Sequence, residues 1–139
     1  MKTFVDTSGF YALLVATEQR HREVTTAFRT LVEKGSDLCT SSYVLVETIA
    51  LLQHRIGLAP VRDLHRAFVP LLDVRWVDEV LHSRAIARLT REDRRQLSLV
   101  DCVSLELLRS EQIDTVLSLD PHLGEEGAAL LPAPASDRR

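Results

Sequence analysis

Glycine is scarce in this 139-residue chain, occurring only at 9, 35, 57, 124 and 127. That spacing contains neither GxGxxG nor a phosphate-cradling P-loop, which excludes the nucleotide folds built on them. Lysine is scarcer, with only Lys2 and Lys34. A phospho-receiver domain needs a lysine at the C-terminal end of a strand, and neither is placed there. The two cysteines, Cys39 and Cys102, lie far apart in apolar surroundings. They exclude a disulfide framework and a thiolate zinc site, and they predict reduced, packed thiols in a cytoplasmic protein. No apolar run approaches the roughly 20 residues of a membrane span. The opening MKTFVDTSG is interrupted by an Asp too early for a signal peptide. Positive charge is not in excess either. The net charge is −3, so any nucleic-acid contact needs a local basic patch.

What is present is enough for one domain with a real core: 45% of residues are hydrophobic. KTFVD (2–6), DLCTS (37–41), DVRWV (73–77) and DTVLSLD (114–120) read as short strands. Between them, residues 10–16, 18–34, 42–56, 59–72, 78–93 and 98–111 read as helices. Gly35 and Gly57 close two of these, and Ser41 or Ser42 opens the third. ALL (129–131) is a candidate edge strand. The alternation predicts an α/β fold, three layers α/β/α around a mostly parallel twisted sheet of four or five strands. The domain is expected to span 1–131, with 132–139 as a disordered tail.

That topology directs attention to acidic residues. In a parallel sheet, ligands bind beyond the carboxyl ends of the strands. Asp6 and Asp120 each close a strand. Glu47 sits in the second turn of a helix leaving strand 37–41, within an apolar run, VLVETIALL. Asp101 lies in the first turn of the helix leading back into strand 114–120. Four carboxylates from four segments therefore converge on one edge. Each Asp alone also fits a helix cap: Asp120 before Pro121, and Asp101 in a capping box from Ser98. Capping does not account for Glu47. Like charges packed together need a cation between them or must take up protons. An all-oxygen donor set suits Mg²⁺ or Mn²⁺ rather than zinc. A haloacid-dehalogenase phosphatase would carry a second Asp at position 8, where this chain has Ser8. The histidines at 21, 54, 65, 82 and 122 read as solvated on polar helix faces.

FVDTSG, SSYVLVET, SLVDCVS and VLSLDPHL, in that order along nearly the whole chain, resemble the four acidic motifs of the PIN-domain nucleases. The size and layout are similar to the VapC-type toxins of bacterial toxin–antitoxin pairs. The resemblance implies a five-stranded parallel sheet and a Mg²⁺- or Mn²⁺-dependent endoribonuclease leaving 5′-phosphate and 3′-hydroxyl ends. It implies Asp6 and Asp101 as the main metal ligands, with Glu47 and Asp120 completing the acidic pocket around one ion or two. Thr7 and Ser104 match hydroxyl-bearing positions suited to holding a water or a phosphate. It also implies a homodimer and a small antitoxin partner. Where the family often has an aromatic three residues after the last Asp, this chain has Leu123.

For the RNA itself, Arg84, Arg88, Arg91, Arg94 and Arg95 form a local basic run. Arg84, Arg88, Arg91 and Arg95 would share a helix face if the helix extends that far, and Arg91, Arg94 and Arg95 are the candidate RNA contacts. The competing reading of this run is a solvated helix end paired with Glu92 and Asp93. Two further functional readings stay open: a PIN nuclease in RNA processing without an antitoxin, and a catalytically inactive metal- or protein-binding domain.

Overall fold

The computed structural model describes residues 1–134. Five strands form one sheet: β1 (Lys2–Val5), β2 (Asp37–Ser41), β3 (Asp73–Arg75), β4 (Thr115–Leu117) and β5 (Ala129–Leu131). Their spatial order is β3-β2-β1-β4-β5, and every pairing is parallel. Parallel strands require crossovers, and helices supply them. α1 (Thr7–Leu14) and α2 (His21–Glu33) join β1 to β2, and α3 (Ser42–Arg55) and α4 (Ala59–Asp63) lie between β2 and β3. α5 (Glu79–Glu92) and α6 (Leu99–Ser110) carry the chain from β3 back across the sheet to β4. Right-handed crossovers put the first four helices on one face and the last two on the other, which gives three layers.

Covering both faces explains why β1 is apolar without alternation. Phe4 and Val5 are fully buried in it, as are Val116 and Leu117 of β4 beside it. Phe10, Leu52 and Val103 close over the sheet from α1, α3 and α6. Cys39 and Cys102 are buried free thiols of this core. Among the described residues no helix is long and apolar enough to cross a membrane.

The element ends depart from the expected ones in several places; the strands expected over 73–77 and 114–120 stop at Arg75 and Leu117, so Asp120 lies beyond its strand rather than closing it. α1 begins at Thr7, directly after Asp6, rather than at residue 10, so the TSG stretch is helical rather than a turn. Gly9 makes this possible: a Cβ there would stand 2.5 Å from the Leu117 carbonyl oxygen, so only glycine lets α1 lie against β4. The helix expected over 59–72 breaks into α4, a π turn (Leu64–Phe68) and a 3-10 turn (Val69–Leu71). Pro70 lacks an N–H and crowds the preceding turn, which disrupts the regular ladder there. α5 stops at Glu92, where Asp93 takes a left-handed conformation with φ 51°. Arg94 and Arg95 therefore lie beyond the helix and off its face. Of the tail expected over 132–139, Ala133 accepts a hydrogen bond from Arg20 through its carbonyl (3.0 Å). Residues 135–139 lie outside the described residues.

Candidate active site

The sheet order reverses between β1 and β4: the connection from β1 leads toward β3, the one from β4 toward β5. The crevice at such a point is where an open α/β sheet accepts a ligand. Asp6 follows β1 there, and Asp120 follows β4 three residues after Leu117. The first turn of α6 brings Asp101, and the second turn of α3 brings Glu47. All four carboxylates line one cavity of about 220 Å³, together with Thr7, Ser8, Tyr11, Glu18, Leu51, Arg55 and Leu119.

Each acid is held differently. Asp6 is the N-cap residue of α1 by position but makes no side-chain cap bond. Its Oδ2 instead accepts from Ser118 Oγ at 2.8 Å and from Ser8 Oγ at 3.4 Å. Ser8 Oγ in turn lies 3.1 Å from Ser118 Oγ and accepts from Leu119 N at 2.8 Å. This serine lattice joins the start of α1 to the end of β4. Asp101 Oδ2 accepts from Ser98 N (3.0 Å) while Ser98 Oγ accepts from Asp101 N (3.1 Å), completing the capping box. Asp120 Oδ1 accepts from His122 N at 3.0 Å, with His122 Nδ1 2.9 Å away. Glu47 is half-buried and forms no ion pair among the described residues.

The electrostatics are those of crowded acids, of which Asp6 and Asp101 are buried. Asp6 is 3% exposed. Burial pushes its carboxyl up to about 7; the Ser118 hydroxyl and the Thr7 N–H oppose that shift, and the charges of Asp101 and Asp120 add to it. Asp101 is also held above the usual carboxylate range, chiefly by burial and further by Asp120 and Glu47. The Ser98 contacts oppose that shift. Desolvation thus outweighs mutual repulsion, and both act in the same direction.

A divalent cation fits this donor set. The lining offers hard carboxylate oxygens, and oxygen atoms of Asp101 and Asp120 lie within 4.8 Å of each other and of a His122 ring nitrogen. Thr7 Oγ1 is buried against the cavity with no protein hydrogen-bond partner. A buried hydroxyl without a partner costs about 1–3 kcal/mol, so a bound water or ligand oxygen is its natural complement.

Other residues singled out from the sequence lie elsewhere. Ser104 is fully buried and donates to the Val100 carbonyl of its own helix at 3.0 Å, so its hydroxyl does not reach the cavity. Arg91, Arg94 and Arg95 do not line the cavity. Arg94 is engaged by Glu125 through two 3.0 Å hydrogen bonds. Arg88, from the same run, is 3% exposed and pairs with Glu106 (2.9 Å) and Glu126, tying α5 to α6 and to the segment before β5. Conversely, Glu18, Arg55, His122, Ser8 and Ser118 join the site without having been expected there. Ser8, Ser118 and His122 lie within the motif stretches FVDTSG and VLSLDPHL, and Arg55 stands eight residues after Glu47 on the same helix face.

A PIN-domain family model matches residues 3–125. The 23S rRNA-specific endonuclease VapC20 of Mycobacterium tuberculosis is 34% identical over 132 residues, which covers 89% of this chain and 93% of that protein. The match is the same in strains CDC 1551 / Oshkosh and ATCC 25618 / H37Rv. The crystal structure of M. tuberculosis VapC20, described as a Sarcin-Ricin loop cleaving toxin, superposes with a TM-score of 0.78 at 31% identity. That superposition covers 91% of this chain and 95% of VapC20.

Proposed function

The chain belongs to the PIN-domain family, and on that premise we propose that it is a divalent-metal-dependent endoribonuclease, the toxin of a toxin–antitoxin pair. One observation carries the reading: four carboxylates from four elements enclose a single cavity, and among the described residues none of them pairs with a lysine or arginine. The relative that resembles it acts on 23S rRNA, so structured ribosomal RNA is the proposed substrate class.

In this proposal Asp6 and Asp101 would anchor Mg²⁺ or Mn²⁺, with Glu47 and Asp120 completing the acidic pocket around it. When bound, such an ion lowers the pKa of a coordinated water and offsets charge on the phosphate oxygens. The chain's own residues do the rest. The Ser8–Ser118 lattice fixes the Asp6 carboxylate, and the capping box fixes Asp101, so neither ligand must be ordered at the moment of reaction. Water attacks phosphorus in line with the departing O3′: a P–O bond to water forms, the P–O3′ bond breaks with its electron pair on O3′, and O3′ takes a proton from solvent, leaving a 5′-phosphate and a 3′-hydroxyl. Glu47 or Asp120 accepts the water's proton. Thr7 Oγ1 donates to a substrate or water oxygen.

The partner side of the proposal is a homodimer and a small antitoxin. An exposed apolar groove formed by Leu45, Val46, Ile49, Val69 and Trp76 supports it, with Trp76 77% exposed. The deciding experiment is sequencing of RNA 5′ ends after brief induction of wild type and of Asp6→Asn. Discrete new ends confined to the wild type are expected; identical end maps overturn the reading.

A further inference from the structure

The cavity that holds the four acids also holds one arginine, Arg55, in the last turn of α3. Glu47, Leu51 and Arg55 follow at intervals of four, so one row of α3 faces the cavity, with the acid at one end and the guanidinium about two turns away. Its placement is unusual in two respects. With Asp6, Glu18, Glu47, Asp101 and Asp120 all around the same cavity, Arg55 forms no ion pair with any of them. It is instead parked over the Tyr11 ring, 5.4 Å from the centroid. A guanidinium set over an aromatic face, with no carboxylate partner among the described residues, keeps its N–H groups available to a further ligand.

We propose that Arg55, set over the Tyr11 ring, is the site's phosphate clamp, binding a backbone phosphate of the RNA that flanks the scissile one. This rests on the ribonuclease reading and adds to it a substrate contact on α3. The chemistry favours phosphate over other anions. The fork matches two phosphate oxygens bidentately. The acids at the other end of the row are spoken for by the cation, so a polyanion can be held at both ends of the cavity while its sugar-phosphate backbone spans it. The clamp also supplies within the site the positive charge that the acidic chain lacks overall.

The test uses Asp6→Asn as a non-cleaving background and measures its affinity for a fluorescent single-stranded RNA across a salt series, with and without Arg55→Gln. Loss of one charge-assisted contact weakens binding about ten- to a hundredfold and lowers the log–log salt slope by about 0.7. In the cleaving enzyme, Arg55→Gln raises KM with little change in kcat, and Arg55→Lys recovers part of the loss. Arg55 is exposed, so melting temperature and the Mn²⁺-induced shift in melting temperature should be unchanged. A metal-free melting temperature that falls while RNA affinity and salt slope stay fixed assigns Arg55 to offsetting the acids and overturns the clamp. Unchanged affinity, slope and KM in a variant of an otherwise cleaving enzyme overturn it as well. Wild type that neither cleaves nor binds RNA brings down the ribonuclease reading itself, and the clamp with it.

Discussion

Ser118 donates a 2.8 Å hydrogen bond to Asp6 across 112 positions of sequence, and that bond is the most direct link between the two halves of the site. It holds the carboxylate that burial would otherwise neutralise. Ser118→Ala should leave the fold intact and weaken Mn²⁺ binding about 10- to 100-fold, the usual effect of losing a ligand's supporting hydrogen bond. Calorimetric titration of the metal against both proteins checks this. Equal affinities would mean that the serine lattice does not position Asp6.

The pH dependence of stability without metal follows from Asp6. Its carboxyl stands at about 7 in the folded chain, against an ordinary value of 3.8. Below about pH 4 the group is protonated in both states and contributes no difference. As pH rises from about 4 to 7 the unfolded chain ionises first, so the folded state loses stability, by on the order of 4 kcal/mol as an upper figure. Above 7 the loss is complete and constant. In EDTA, Asp6→Asn should therefore melt near wild type at pH 4 and above it at pH 8. Adding Mn²⁺ at pH 8 should narrow that gap in a saturable way, since binding at a hundred times Kd adds about 2.7 kcal/mol to a protein that holds the ion. A mutant that melts lower than wild type in EDTA at pH 8 would contradict the burial of a charged Asp6.

Gly9→Ala tests how closely α1 must lie against β4. The added Cβ meets a backbone carbonyl at 2.5 Å, which cannot swing aside. A loss of about 1–3 kcal/mol in urea unfolding is expected. Cleavage should fall as well, because the same displacement opens the Ser8–Leu119 and Ser8–Ser118 contacts.

The arginine run separates into structural and free members. Arg88→Ala removes a buried cation whose partners Glu106 and Glu126 are partly exposed, and should cost about 1–3 kcal/mol. Arg91→Gln with Arg95→Gln, on exposed side chains, should change stability by less than about 0.5 kcal/mol. If these two meet RNA, their loss flattens the salt dependence of binding. An unchanged slope assigns them to the solvated surface.

The contrast within that run shows what the chain makes legible. Asp6, Glu47, Asp101 and Asp120 could be placed at one edge from the sequence because strand ends and helix starts have local signatures, and parallel topology fixes where those ends meet. The fate of Arg88 depends on which side of α5 packs against α6 and on Glu126 arriving from a segment 38 positions away, and neither has a local signature. Glu18 was hidden for the same reason: it reaches the cavity from a turn whose direction is set by packing. The break at Leu64–Leu71 is different. Pro70 is a local signal for it, and the reading of 59–72 as one helix left that signal unused.

β1 lies at the centre of the sheet, with β2 on one side and β4 on the other. A chain still being synthesised can pair β1 with β2 once residue 41 is free, but the other flank stays open until β4 arrives. Until then Asp6 has no Ser118, and the cavity lacks Asp120. For a protein proposed to cut RNA while ribosomes are making it, this order matters. The proposed cleaving geometry therefore cannot assemble on the first three strands alone and waits for the segment that carries Ser118 and Asp120.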